Sequence, residues 1–408
     1  MKINDNSYPS SNTQVGWNNL DFISAEYSVR KQQRHILNSY TSGNTRKLKF
    51  IQHQLIHSFY AKVNAVKSVT SSRGKYTAGV DNIIWKTPEI KYQAVLDLNR
   101  RDYIHQPFKR IYIPKGNSEV RAIDIPTIKD RAMQTLYRYT IEPIAEYTAD
   151  PHSYGFRKNL STRDAILHCY NILNSNNDYK WIFKTDIRSF FDTISHEWIM
   201  NNVPMDKFFL NQFLTCGYVD KGILYQPQKG IPQGSCISPV LCNLALNGLE
   251  ETLKSQFNGV EFIRYADDIL LISKVHDDIF YYPLAIGEFL SKRGLDISIR
   301  KTGIYNVRQG FDFLGWHISK DKFPVITPSL TNINSLMTKV KYILSNYIDY
   351  PSLFCKMSSA LGGWISYHRD VIDIYSMYGV LFDVCMYIWD LTNDSTIVNF
   401  ASNFISSL

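Results

Sequence analysis

Three aspartates in apolar surroundings are the residues of this 408-residue sequence best suited to chemistry. Asp267 and Asp268 lie between the β-forming runs EFIRY and ILLIS, so the sequence predicts two strands that meet at a tight turn over residues 265–268. Asp186 ends a third apolar segment, WIFKTD. Adjacent carboxylates in such surroundings are costly unless a positive charge neutralises them. The alternative interpretation of Asp267 and Asp268 is a polar hairpin tip that faces solvent.

Carboxylates at neighbouring strand ends are the ligands that Mg²⁺ takes in proteins, because a hard cation prefers oxygen and bridges phosphates. Two such ions, about 3.5–4 Å apart, clamp the attacking and leaving oxygens of an in-line phosphoryl transfer. The three aspartates therefore indicate phosphoryl-transfer chemistry. Asp192, six residues after Asp186, is interpreted as structural.

The elements that must position these residues can be predicted from hydrophobic periodicity. Residues 46–67 have the pattern of an amphipathic helix whose outer face carries Gln52 and Gln54 beside its lysines. The remaining predictions are a two-stranded ribbon over 110–126, a helix over 129–148, strands over 181–187 and 261–273, and a small bundle of amphipathic segments over 330–347, 352–369 and 371–391.

Positive charge is concentrated near the N-terminus. Residues 30–86 contain eleven Lys or Arg and a single acid, Asp81, a balance of +10 against +8 for the whole chain. Such one-sided charge favours a polyphosphate partner, with a solvated face as the alternative. We interpret the basic triplet, defined as Arg46, Lys47 and Lys49, as a nucleic-acid-binding face.

Composition excludes several classes of protein. Hydrophobic residues make up 44% of the chain and aromatic residues 14%, enough for a sizeable core. This composition excludes a disordered protein and a small disulfide scaffold. The six cysteines are scattered without a CxxC pair, as is typical of a reducing compartment. We find no signal peptide and no apolar run of membrane-spanning length, so we expect a soluble cytoplasmic protein without a membrane partner.

Five ordered segments resemble the palm of a reverse transcriptase, in particular the bacterial group II intron-like branch. They are KTDIRSFFDTI, GIPQGSCISPVLCNLALNGLE, RYADDILLIS, SIRKTGI and FDFLGWHI. The segments IPKGNSEVRAIDIPTIKDRAMQ and PHSYGFRKNLSTRDAI extend the resemblance upstream, and GGWISYHR is similar to the thumb signature of intron maturases.

The resemblance implies an α+β right-hand polymerase, with fingers, a palm built on an antiparallel sheet, a helical thumb and a basic helical N-terminal extension. We expect the extension over 1–95, the fingers and palm over 96–315 and the thumb over 316–408. It also implies Mg²⁺-dependent, RNA-templated synthesis of cDNA from dNTPs.

The resemblance assigns metal binding to Asp186, Asp267 and Asp268, which would hold two Mg²⁺ ions or, alternatively, Mn²⁺. The carbonyl of Ile187 is implied as a further ligand. Lys301, in IRKTG, corresponds to a catalytic lysine beside the pyrophosphate leaving group, where a general acid would help.

Four further residues correspond to the nucleotide site of the family. Lys115 and Arg121 correspond to fingers residues that fold over the triphosphate, a task suited to a point charge and a bidentate fork. Phe191 corresponds to the steric gate against a ribose 2′-hydroxyl, and Gln233 to a contact with the incoming sugar and base. The plainer interpretations are surface charge for the two cations and core packing for Phe191 or its neighbour Phe190.

The nucleic-acid contacts implied by the resemblance lie in FDFLGWHI. Phe313, Leu314 and Gly315 correspond to the primer grip, although an apolar FLG segment is equally compatible with plain core.

Departures from the family pattern bear on the biological role. Intron-encoded proteins usually have GFRPGRS where this chain has GFRKNLS, which alters the expected template contacts. No basic DNA-binding or His/Cys-rich endonuclease segment follows residue 370. In this respect the chain resembles the stand-alone, defence-associated members of the branch, and the resemblance implies an enzyme that copies a noncoding RNA of its own locus in defence against phage. The alternatives are a group II intron maturase without an endonuclease, an RNA-binding protein with a vestigial polymerase, and an RNA-dependent RNA polymerase.

Overall fold

The computed structural model describes residues 16–114, 120–175, 178–347, 349–372 and 374–406. Its α-helices are α1 (Phe22–Thr41), α2 (Thr45–His57), α3 (Phe59–Ser71), α4 (Pro88–Asp97), α5 (Ile128–Tyr147), α6 (Thr162–Asn174), α7 (Phe190–Thr193), α8 (His196–Asn202), α9 (Lys207–Thr215), α10 (Ser238–Leu246), α11 (Leu249–Gln256), α12 (Tyr282–Ser291), α13 (Leu330–Asn346), α14 (Tyr350–His368), α15 (Ile374–Thr392) and α16 (Ser395–Ser406). Its strands are β1 (Phe108–Pro114), β2 (Val120–Ile125), β3 (Trp181–Asp186), β4 (Tyr218–Asp220), β5 (Ile223–Tyr225), β6 (Glu261–Tyr265), β7 (Asp268–Ser273), β8 (Gly303–Asn306), β9 (Phe311–Phe313), β10 (Trp316–Lys320) and β11 (Pro324–Pro328).

The chain divides into two compact units, each built from discontinuous segments. The first unit comprises Met1–Pro151, Ile187–Leu253 and Leu284–Ser298. The second comprises His152–Asp186, Lys254–Pro283 and Ile299–Leu408. The boundaries expected after residues 95 and 315 separate the N-terminal extension, the fingers and palm, and the thumb by function, and they stay predictions.

The first unit is mainly helical, with α1, α3 and α5 packed against one another. The helix predicted over 129–148 is confirmed as α5, which Thr127 caps by accepting a hydrogen bond from the backbone N–H of Asp130. A sheet of order β2-β1-β4-β5 completes this unit. The ribbon predicted over 110–126 is confirmed as the antiparallel pair β1 and β2.

The single helix predicted over 46–67 is wrong, because the structure has two helices there. Ser58 has extended backbone angles, φ −62° and ψ 128°, and separates α2 from α3. Gln52 is also not on an outer face: it is buried, and its side-chain amide donates to the carbonyls of Thr140 and Pro204. A long-range hydrogen bond of this kind satisfies a buried amide and leaves no trace in helical periodicity.

The second unit contains the sheet that carries the aspartates. Its strand order is β6-β7-β3-β8, and all neighbouring strands are antiparallel. The predicted strands over 181–187 and 261–273 are confirmed, and the latter is the hairpin of β6 and β7. The central strands β3 and β7 are buried along most of their length, as expected where both faces of a sheet are covered.

A three-stranded antiparallel sheet, β11-β10-β9, and a helical bundle complete the second unit. The three predicted amphipathic segments correspond to α13, α14 and α15, but a fourth helix, α16, packs against α14 and α15. The prediction missed it because STIVNFASNFIS contains no Leu and several polar β-branched or small residues. Its apolar residues Ile397, Ala401 and Ile405 nevertheless recur every four positions and are buried in the bundle core.

Candidate active site

The pairing register of the second unit's central sheet brings two of the predicted aspartates together. Asp186, the last residue of β3, lies directly opposite Asp268, the first residue of β7. Residues opposite each other in an antiparallel pair project from the same face, with Cβ atoms about 4.5–5.5 Å apart. Asp186 is buried and Asp268 is half-buried, whereas the neighbouring Asp267 belongs to the turn between β6 and β7.

Lys301 is the cation of this cluster. Its ammonium Nζ donates to Asp186 Oδ2 at 2.7 Å. Although partial burial acts to lower it, this hydrogen bond and the charges of Asp186 and Asp268 raise the pKa of Lys301. The ammonium is therefore firmly protonated at neutral pH.

The carboxylates outnumber that cation, which shows in the titration of Asp268. Burial, followed by the charges of Asp267 and Asp186, raises the pKa of Asp268 to about 6. Lys184 and Lys301 act in the opposite direction without overcoming these effects. A further cation at this face would therefore stabilise the ionised cluster.

A left-handed residue shapes the turn that presents Asp267. Ala266 has φ +56°, and Tyr265 pairs with Asp268, so the two strands are joined by two residues. Gly155 packs directly against this turn, because a Cβ atom added to Gly155 would lie 2.1 Å from the backbone nitrogen of Ala266. The Tyr154 N–H donates to the Arg264 carbonyl at 2.8 Å, which fixes this segment along β6.

Sequence reasoning missed three residues of this cluster. Lys184 precedes Asp186 by two positions on the same face of β3 and donates to the Asp312 carbonyl at 2.7 Å. Arg264 is fully buried, and its guanidinium donates to the Ala266 carbonyl in the turn. Gly155 lies in the segment PHSYGFRKNLSTRDAI, where no residue pattern marks it as part of the site. A lysine and an arginine inside apolar strands were the available signals.

The ligand atoms of the cluster fit a hard divalent cation, because they are carboxylate oxygens whose negative charges repel one another. Across the described parts of the chain, no group of three or more His, Cys, Asp or Glu residues is arranged as a preformed metal site. The pairing of Asp186 with Asp268 is thus given by the sheet, whereas the metal assignment stays a prediction.

Two of the predicted nucleotide-site residues meet in the first unit. Arg121 on β2 donates through Nε to Gln233 Oε1 at 2.9 Å, and the Asp124 N–H donates to the Gln233 carbonyl at 2.6 Å. Gly234, at φ +113°, allows this close approach, because a Cβ atom there would lie 2.7 Å from the Asp124 carbonyl oxygen. Lys115 lies outside the described residues, and its role stays a prediction.

The two adjacent phenylalanines of the first unit have different surroundings. Phe190 is buried, whereas Phe191 is half-buried and lines a cleft of about 300 Å³. The Ile231 N–H donates to the Phe191 carbonyl at 2.6 Å and so anchors the segment. Of the pair, Phe190 is the core residue, and Phe191 is the ring that a ligand could reach. Ile187 is also buried, with its backbone bridged to Ile297.

The remaining predicted residues are the basic triplet and the FLG segment. The basic triplet is exposed at the start of α2, a helix that contains no acidic residue. Phe313 is buried at the end of β9, and Leu314 and Gly315 form the turn to β10.

Comparison with known proteins identifies the class to which this fold and site belong. A family model described as reverse transcriptase (RNA-dependent DNA polymerase) matches residues 113–318, just over half of the chain, and a model of the N-terminal domain of reverse transcriptase matches residues 17–98. The chain therefore belongs to the reverse transcriptase (RNA-dependent DNA polymerase) family. The expected α+β right-hand polymerase fold is confirmed.

Individual relatives place the chain in the group II intron-like branch. It is 30% identical over 206 residues to the group II intron-encoded protein LtrA of Lactococcus lactis, covering 48% of this chain and 34% of that protein. It is 27% identical over 366 residues to a COX1/OXI3 intron 2 protein of Saccharomyces cerevisiae, covering 74% of this chain and 42% of that protein. The chain thus spans less than half the length of these two relatives.

Among solved structures, the chain is similar to telomerase from Candida albicans, with 14% identity and a TM-score of 0.44 over 75% of this chain and 62% of that one.

Within the described residues, no helix is both long and apolar enough to cross a membrane.

Proposed function

We propose that this protein is an RNA-directed DNA polymerase that synthesises cDNA on an RNA template. The observation that carries the proposal is the pairing of Asp186 with Asp268 at adjacent strand ends, with Asp267 next to them. Family membership supports the same reaction. A structural explanation accounts poorly for the cluster, because mutually repelling carboxylates in a partly buried position destabilise the fold.

Asp186, Asp267 and Asp268 would hold two Mg²⁺ ions, with Mn²⁺ as the alternative, and the Ile187 carbonyl would be a further ligand. When bound, the ions supply charge that stabilises the transferring phosphoryl group. The raised pKa of Asp268 supports this assignment, since it reports negative charge without sufficient compensation.

Lys301 would act as the general acid toward the pyrophosphate leaving group. The Asp186 carboxylate positions its ammonium at 2.7 Å and, with Asp268, keeps it protonated. A proton donor requires that protonation state at neutral pH.

In the first unit, Arg121 and Gln233 would bind the incoming dNTP as a hydrogen-bonded pair. Phe191 would select the deoxyribose, because its ring is accessible from a cleft whereas that of Phe190 is buried. Lys115 would bind the triphosphate of the same dNTP.

The RNA template would be bound by the exposed basic triplet and the rest of the +10 region. Arg46 and Lys47 lie in the first turn of α2, where a helix macrodipole disfavours positive charge. Cations kept at a position unfavourable to the helix are consistent with selection for binding. Phe313 and the turn formed by Leu314 and Gly315 would contact the primer.

The experiment that tests the reaction compares primer extension on an RNA template by the wild type with Asp267→Asn and Asp268→Asn. Each variant should lose at least about 100-fold in rate, corresponding to about 3 kcal/mol of transition-state stabilisation. Asp268→Asn should unfold at the same or a higher temperature than wild type, because it removes a charge that its neighbours disfavour. Asp321→Asn, an exposed change of the same kind, is the control. Wild-type extension by either active-site variant would refute the assignment.

For the biological role, we propose defence against phage, with a noncoding RNA of the same locus as template, and intron maturation as the second candidate. The first is the role that the sequence resemblance implies, and the intron-encoded origin that the relatives' names state supports the second. Expression of the gene with its flanking sequence should protect against phage, and Asp267→Asn should abolish protection. Absence of protection together with splicing of an adjacent intron would decide for maturation.

A further inference from the structure

The turn between β9 and β10 contains a backbone conformation that its sequence does not favour. Phe313 pairs with Trp316, so the turn has two residues, and both are left-handed: Leu314 at φ +48° and Gly315 at φ +85°. Two-residue hairpin turns with positive φ at both positions prefer Asn or Asp before Gly. Leucine there costs about 1–2 kcal/mol and persists only if its surroundings hold it.

Residues at the helical bundle hold the turn by donating hydrogen bonds to both of its carbonyls. The Tyr367 hydroxyl, on α14, donates to the Leu314 carbonyl at 2.8 Å. The backbone N–H of Ser329, which caps α13, donates to the Gly315 carbonyl at 3.0 Å. A Cβ atom at Gly315 would lie 2.9 Å from Asn332 Nδ2, so the turn also packs tightly on α13.

The ring of Tyr367 is itself held by the neighbouring rings of Trp316 and His368. Its ring stacks on that of Trp316, the first residue of β10, with centroids 4.4 Å apart and an interplanar angle of 22°. Next to it, Asn332 Oδ1 accepts from Trp364 Nε1 at 2.6 Å and lies 3.1 Å from Nε2 of the fully buried His368. Asn332 therefore ties α13 to the last two turns of α14, the segment that carries Tyr367.

The other end of the turn is connected to the strand that ends in Asp186. Lys184 on β3 donates to the Asp312 carbonyl on β9 at 2.7 Å, one residue before Phe313. The turn is thus held from the bundle on one side and from the carboxylate-bearing strand on the other. This arrangement fixes the distance from Leu314 to Asp186.

We propose that Tyr367, supported by Asn332, is a positioning residue that holds the Leu314 turn and thereby aligns the primer terminus with the Asp186 carboxylate. This inference rests on the proposed polymerase function. Tyr367 itself acts through the turn and makes no contact with substrate. Its hydroxyl matters because it is the side-chain donor to the strained Leu314 peptide.

The test uses the full-length protein and four variants. Tyr367→Phe keeps the ring on Trp316 and removes only the hydroxyl, and Tyr375→Phe on α15, 84% exposed, is the matched control. Asn332→Leu removes the acceptor for Trp364 and His368, whereas Asn332→Asp retains it. The readouts are the KM for an RNA–DNA primer–template duplex, the KM for dNTP, and duplex affinity by fluorescence anisotropy.

Tyr367→Phe should raise the duplex KM and dissociation constant by about five- to tenfold, the worth of one hydrogen bond, and leave the dNTP KM unchanged. Asn332→Leu should do so at least as strongly, with Asn332→Asp near wild type. Unchanged duplex affinity in Tyr367→Phe, or an equal shift in both KM values, would overturn the proposal. If the wild type extends no primer, the polymerase function fails, and the anisotropy measurements still decide whether Tyr367 controls duplex binding.

Discussion

Gly155 offers a sharp test of how the fold positions Asp267 and Asp268, because it touches the turn before them without any chemistry of its own. In Gly155→Ala, the new Cβ would lie 2.1 Å from the Ala266 nitrogen and 2.9 Å from its Cα. Ordinary contact needs about 3.4 Å or more, so the turn must move by about 1 Å. Neither contact atom is the end of a flexible side chain, since both belong to the backbone.

The expected magnitude follows from that displacement. Overpacking of this kind costs about 1–3 kcal/mol of unfolding free energy, which a protein with about 5–15 kcal/mol survives. A 1 Å misplacement of reacting groups costs about 100-fold in rate. We therefore expect Gly155→Ala to remain folded at 25 °C while kcat for primer extension falls by about 100-fold, a loss that partial unfolding would not explain.

Two measurements check this expectation: steady-state primer extension, and urea unfolding followed by circular dichroism. Gly363→Ala is the control, since a Cβ at Gly363 meets no atom within 4 Å and alanine favours the helical position on α14. The control should keep full activity and gain up to about 1 kcal/mol. If Gly155→Ala retains wild-type kcat, the turn does not depend on this contact, and our account of how it is positioned is wrong.

Three further changes test other parts of the molecule. Phe191→Val should raise the ratio of ribonucleotide to deoxynucleotide kcat/KM, whereas Phe190→Val should lower stability by about 1–3 kcal/mol without moving that ratio; the opposite pattern would exchange their roles. Reversal of the basic triplet to Glu should weaken RNA binding and reduce the slope of log affinity against log salt by about 0.7–0.9 per lost phosphate contact, with no loss of helix stability; an unchanged slope would identify a merely solvated face. Burial lowers the pKa of His368 from 6.5 to about 4, so on acidification the unfolded chain binds this proton at a higher pH than the folded chain does. The free energy of unfolding should therefore fall by up to about 3 kcal/mol as pH drops from 6.5 to 4. His368→Gln should flatten that decline in urea titrations at each pH.

Much of the architecture around the aspartates could be predicted from local pattern. Short apolar and β-forming runs with embedded acids predicted β3, β6 and β7, and the interruption at 265–268 predicted the turn between β6 and β7. These elements are encoded locally, because strand pattern and turn length depend on neighbours in sequence. The break at Ser58 and the helix α16 were missed, since a single extended residue or a helix of weakly apolar residues changes periodicity little.

Residue types alone singled out Asp186, Asp267 and Asp268 as side chains that could do chemistry in this protein, and the resemblance to reverse transcriptases added Lys301. Only the tertiary structure decided that Asp186 faces Asp268, that Lys301 pairs with Asp186, and that Phe190 rather than Phe191 is core. It alone also revealed Gly155 against the turn and Tyr367 on the Leu314 carbonyl. The physical reason is that register, burial and long-range hydrogen bonds arise between segments more than fifty residues apart, where spacing along the chain carries no distance information.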